Sequence, residues 1–126
     1  MRPTILATIS MLVALISVPA HSDSSKFDGT YEPSIESRSS DMACQGLVWE
    51  RFSINNGKLA GGLTHSQGGF FSLSGSVSED GALKRARASG SFTSAQLEGK
   101  LLGTEGSGTW KTTDGQCSGT WSVKRQ

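Results

Sequence analysis

A hydrolytic or group-transfer centre needs a base beside a nucleophile, and this chain offers few bases. It has two histidines, His21 and His65, and two cysteines, Cys44 and Cys117. No G-x-S-x-G, no H-E-x-x-H and no acid pair at diagnostic spacing occurs. A Ser-His-Asp set can be assembled around His65, but any chain with this much serine permits that. Metal ligation would need more His or Cys than exist here. These absences point to a non-enzymatic protein with no metal and no cofactor. The remaining polar candidates are Glu50 and His65, which an inward-facing register would bury. Inside a cavity they would anchor a small ligand by hydrogen bonds. Against that, His65 directly precedes a turn and so belongs at a rim. Leu47 and Trp49, flanking Glu50, leave room for a change of facing in that strand.

Two further groups face outward by the same register. Lys84, Arg85 and Arg87 form the one dense basic run. Arg85 and Arg87 share an outer strand face, able to contact a phosphate, a carboxylate or an acidic glycan. The same run also serves as a solvated face that keeps a sheet from sticking to neighbours. Trp49 faces outward with Leu47 and Phe70, which makes either an aromatic patch for a protein or carbohydrate partner or a second small core.

The elements that must position these residues are announced by a repeat. Glycine is followed two places later by an apolar residue at Gly29-Thr30-Tyr31, Gly46-Leu47-Val48, Gly61-Gly62-Leu63, Gly75-Ser76-Val77, Gly90-Ser91-Phe92, Gly99-Lys100-Leu101, Gly108-Thr109-Trp110 and Gly119-Thr120-Trp121. A period of two is that of a β-strand. Turn residues separate the repeats: Asn55-Asn56-Gly57, Ser66-Gln67-Gly68-Gly69, Glu79-Asp80-Gly81, Thr93-Ser94, Gly103-Thr104-Glu105-Gly106 and Asp114-Gly115. The polar stretch Ser34–Asp41 reads as a loop. Seven turns make eight strands, and no window carries a capped helical period once the leader is set aside.

Alternation sets the facing. Phe71, Leu73, Gly75 and Val77 alternate with serines, Ala86, Ala88, Gly90 and Phe92 with Arg and Ser, and Cys117, Gly119, Trp121 and Val123 with Ser and Thr. The same register turns Phe27, Tyr31, Val48, Phe52, Ile54, Leu59, Leu63, Leu97, Leu101 and Trp110 inward. Both cysteines follow them, each two residues before a repeat glycine. The expected fold is all-β, an eight-stranded antiparallel meander closing as a small β-barrel, with a two-sheet β-sandwich as the alternative.

Residues 1–20 read as a secretory signal peptide. Arg2 supplies the positive start, Ile5 to Val18 the apolar run, and Val18-Pro19-Ala20 the cleavage site. Residues 21–26 would be a flexible mature N-terminus and 27–126 a single barrel domain. Without Arg2 the chain has eleven basic and eleven acidic side chains, which disfavours nucleic acid and anionic membrane surfaces. No later segment is apolar enough to span a bilayer as a helix. In an exported chain Cys44 and Cys117 pair by default, closing a loop for which chain entropy gives about 4 kcal/mol.

The opening Phe27-Asp28-Gly29-Thr30-Tyr31 and the two Gly-Thr-Trp strands resemble the calycin barrels (lipocalins, fatty-acid-binding proteins, avidins). The ending Cys117-Ser118-Gly119-Thr120-Trp121 also resembles small exported bacterial proteins of unassigned function. The calycin resemblance implies a small apolar or amphipathic ligand held inside, while the leader makes the expected location periplasmic or extracellular and the expected state is a monomer. Glu50, His65, Tyr31 and Trp110 are the candidate ligand contacts. The alternative is an interaction or inhibitor module whose partner protein meets Trp49, Phe70, Arg85 and Arg87. Interior volume separates the two.

Overall fold

Small polar residues alternating with apolar ones, and punctuated by Asn-Gly and Asp-Gly, build a sheet that curls until its ends meet. The computed structural model describes residues 25–66, 68–91 and 93–126. The proposed leader and Phe92 lie outside the described residues. A 3₁₀ turn at Ser25–Phe27 precedes nine strand segments: β1 (Gly29–Ser37), β2 (Leu47–Trp49), β3 (Phe52–Asn55), β4 (Lys58–His65), β5 (Phe70–Val77), β6 (Leu83–Ser89), β7 (Ser94–Leu102), β8 (Glu105–Thr112) and β9 (Ser118–Arg125). Each of β3 to β8 pairs antiparallel with the next, and β9 and β3 both pair with β1. Pairing therefore runs right round, giving a closed eight-stranded barrel rather than a sandwich. β2 is an extra segment, in line with β3 along β4.

Ser34–Ser37 corrects the loop expected there. β1 runs on to Ser37 and pairs with β9 from Tyr31↔Arg125 to Ser37↔Gly119. The Arg38 N–H donates to Ser118 O at 2.9 Å and the Gln126 N–H to Thr30 O at 2.9 Å. Even-numbered residues of β1 thus turn their backbone groups toward β9, and Pro33 turns its missing N–H away from it. Ile35 is half-buried between exposed Ser34 and Glu36. The polar composition belongs to the wet face of a strand, not to a turn.

Two β-bulges break the simple alternation. From Trp49↔Leu63 to Ser53↔Ala60 the chain takes four steps on the β2–β3 side and three on β4. The extra residue at Glu50-Arg51 reverses the facing upstream of it. Trp49 therefore lies inside, 6% exposed, and Val48 points out, 52% exposed. This overturns the outward Trp49 and Leu47 and the inward Val48, while Phe52 and Ile54 are buried as expected. Glu50, expected inward, is exposed at the bulge. The second bulge is on β6, where Ser74↔Arg87 and Ser76↔Lys84 are two steps apart on β5 and three on β6. Arg85 sits there at φ 52°, a left-handed conformation that costs a non-glycine residue roughly 1–3 kcal/mol. β6 ends at Ser89, and Gly90 N–H donates to Thr93 O at 3.0 Å to close the next hairpin.

One end of the barrel is sealed. The Phe27 ring packs on Gly81, and the Tyr31 hydroxyl donates to Phe27 O at 2.6 Å while accepting from Arg125 Nε at 3.2 Å. Tyr31 stacks on Phe52 with centroids 5.4 Å apart, and Phe52 stacks on Trp49 at 4.9 Å. Trp121 lies so close to Gly99 that a Cβ there would fall 2.5 Å from its ring, and a Cβ on Gly119 would fall 2.7 Å from Trp110 Nε1. These repeat glycines make room for tryptophan faces on bare backbone. Cys44, in the loop before β2, is bonded to Cys117, just before β9, with Cα atoms 5.4 Å apart. The disulfide thus ties together two connections at the other, open end.

Turn carboxylates fix three hairpins. Asp28 accepts the N–H groups of Asn56 and Gly57 at 2.8 and 2.9 Å. Asp80 accepts from the Ser78 hydroxyl and the Ala82 N–H, and Asp114 accepts from the Thr112 hydroxyl at 2.6 Å and the Gln116 N–H at 2.9 Å. Their side-chain hydroxyl bonds, followed by the backbone N–H bonds, hold both carboxyls below the usual range.

Candidate functional site

The open end is ringed by Ile35, Leu47, Phe71, Ala95 and Thr112, all half-buried, above a floor that includes Trp110. The space they enclose is about 30 Å³. Deeper in, between Trp49, Phe52, Leu73 and Trp121, a second void measures about 10 Å³. Ligand pockets run to roughly 300–1,000 Å³. The lumen is filled by its own aromatics, and the open end is a shallow apolar dish. Among the described residues one buried side-chain polar atom lacks a partner, the indole N–H of Trp49. By contrast, Trp121 Nε1 donates to Glu98 O and Thr109 O, each at 3.1 Å, and Trp110 Nε1 donates to Glu36 O at 2.9 Å.

The four candidate ligand contacts do not converge. Tyr31 is fully buried at the sealed end, its hydroxyl occupied on both sides. Glu50 is outside. His65 is half-buried at the rim, its Nε2 3.1 Å from Ala43 O, where it links β4 to the loop that carries Cys44. Only Trp110 lines the open-end space. Ile35, Leu47, Ala95 and Thr112 went unnoticed as rim residues. The alternation of Tyr31, Pro33 and Ile35 carries a legible signal for the first of them.

The outer wall offers two other features. Val48 and Phe70 flank Thr64 across three strands, through Val48↔Thr64 and Thr64↔Phe70. Phe70 is 60% exposed and its ring covers Gly62. With Trp49 inside, the outward aromatic pair is replaced by this Val48–Phe70 row. Arg85 and Arg87 do face outward, with Lys84 beside them, along an open cleft of about 610 Å³ between β6 and β7.

No group of three or more His, Cys, Asp or Glu among the described residues is placed to hold a metal ion. No helix among them is long and apolar enough to cross a membrane, which leaves strand-based crossing unaddressed. No protein-family model, curated protein or solved structure matches the chain.

Proposed function

We propose that the chain is an exported, non-enzymatic binding module that recognises a partner protein with the open end and outer wall of its barrel. The observation that carries this is the filled lumen, with internal spaces of about 30 and 10 Å³. A calycin-type carrier encloses its ligand, and here the enclosing volume is taken up by Trp49, Phe52, Trp110 and Trp121. The apolar rim beside the exposed Val48–Phe70 row suits an apolar protrusion of a partner better than a free lipid. The signal-like leader and the Cys44–Cys117 disulfide support export.

The carrier reading keeps one supporting observation, the unbonded Trp49 N–H, which an acceptor atom of a small ligand would satisfy. Two measurements on protein from its own host separate the readings. Photo-crosslinking residues placed at Leu47 and Phe70 should capture one and the same protein, with none captured from the outward Ser122 position. Native mass spectrometry should show no retained small molecule. A stoichiometric small mass, with no shared crosslink, would establish the carrier and sink the module.

A further inference from the structure

We propose that the cleft between β6 and β7 binds one phosphate monoester group, held by Arg85 and Arg87. This site lies on the barrel wall and stands apart from the open end. Between β6 and β7 the strands pair residue by residue from Arg87↔Gln96 to Ser89↔Ser94, and again only at Ala82↔Lys100. In between, five steps on β6 meet four on β7, and the ladder is interrupted. The cleft of about 610 Å³ opens over this interruption and reaches the buried Ala86 and Leu97.

The bulge at Arg85 shapes the chemistry. By adding a residue it turns Lys84 and Arg85 out together, with Arg87 two residues on, so three cations from one short segment border the cleft. The sole acid that borders it is Glu98, leaving a local formal charge of +2. A phosphate monoester, carrying about −1.5 to −2 and three terminal oxygens, matches that charge and the forked guanidinium donors. A carboxylate offers half the charge and two oxygens. Neither the Arg85 nor the Arg87 guanidinium makes a hydrogen bond or ion pair among the described residues, so these side-chain donors are not committed to the fold.

The larger groove over β8, β9 and β1, about 740 Å³, is different. There Glu32 accepts from Gln126 at 2.7 Å and lies 4.0 Å from Arg51, while Lys124 lies 3.9 Å from Glu105. Its charges are matched within the protein. Arg85 also occupies a conformation that favours glycine, at φ 52°. An arginine at a position where glycine would sit without strain has a reason beyond the backbone. The whole chain's formal charge is only +1, so attraction is local and suits one phosphate rather than a polyanion.

The test is a titration of the disulfide-bonded protein followed by amide chemical shifts. The probes are a sugar phosphate, inorganic sulfate, acetate and vesicles containing phosphatidic acid. The sugar phosphate should saturate and shift residues 83–87 and 96–98 alone, binding more tightly than sulfate and far more tightly than acetate. Vesicle binding through the same residues would place the phosphate on a lipid head group and still support the site. Arg85→Gly should weaken binding by roughly ten-fold or more, yet leave thermal stability equal or raised. Glu98→Gln should tighten binding several-fold. Acetate binding as tightly as phosphate, no saturation at these residues, or Arg85→Gly lowering stability with binding intact would overturn the proposal.

Discussion

The three buried tryptophans share one chemistry but differ in what their indole N–H meets, and that difference sets up a sharp comparison. Trp→Phe at each position removes about 40 Å³, which at roughly 24 cal/mol per Å³ of cavity costs about 1 kcal/mol. At Trp121 the change also removes the N–H that serves Glu98 O and Thr109 O. Both carbonyls keep a ladder partner, since Glu98 and Thr109 exchange N–H bonds across β7 and β8, so the loss adds about 1 kcal/mol and Trp121→Phe should destabilise by about 2 kcal/mol. At Trp110 the lost partner is Glu36 O. That carbonyl also faces β9, where the ladder gives it the Thr120 N–H, so the cost should be near 2 kcal/mol. At Trp49 the sign reverses. Its N–H is buried without a partner, and removing it relieves about 1–3 kcal/mol of desolvation while Phe keeps the stack on Phe52.

Trp49→Phe should therefore lie between neutral and about 2 kcal/mol stabilising. The assay is urea denaturation of the oxidised protein, followed by far-ultraviolet circular dichroism because the fluorophores change. At an m-value of about 1–1.5 kcal/mol/M, the midpoints of Trp49→Phe and Trp121→Phe should differ by more than about 1 M. Equal losses at both sites would refute the reasoning. They would mean that ring volume alone decides, and that Trp49 is bonded as well as the others.

Two other expectations concern the staple and the turns. Cys44 and Cys117 are 73 residues apart in sequence. Replacing both with serine should lower the unfolding free energy by up to about 4 kcal/mol, and an unchanged denaturation midpoint would show the bond to be idle. The carboxyls of Asp80 and Asp114 are held below the usual 3.8 by their hydroxyl and N–H donors. A depressed folded value means that the stabilisation is present above the unfolded pKa and is lost as pH falls through the folded one. Stability measured from pH 5 to pH 2 should drop, more steeply below about pH 4. In Asp80→Asn with Asp114→Asn the slope should flatten, and an unaltered acid slope would assign the loss to other groups.

Much of this architecture is legible in the residues themselves. Alternation on β5, β7 and β9 turns Leu73, Val77, Leu97, Leu101, Trp121 and Val123 inward, and all are buried. The cysteine pair follows from the same facing. Ser34–Ser37 escaped because their hydrogen bonds come from β9, more than eighty residues on, and no local signal reports that partner. The bulge at Glu50-Arg51 escaped for a related reason. An extra residue is specified by what lies opposite, here Gly61, where a Cβ would fall 2.6 Å from that of Phe52. Composition along one strand cannot display this.

Both bulges nevertheless leave the same trace: two inward apolar residues three apart, Trp49 with Phe52 and Leu83 with Ala86, where strict alternation allows only even spacings. The trace has opposite consequences on the two strands. On β2–β3 the added residue swings an indole into the lumen and fills the volume a carrier would need. On β6 it swings Lys84 and Arg85 out together beside a break in the ladder. A barrel that alternated perfectly would put Trp49 on the surface and one cation of this pair inside, leaving a roomier interior and a closed wall. The two single-residue insertions therefore move the protein's chemistry from its inside to its outside, which is where both proposed sites lie.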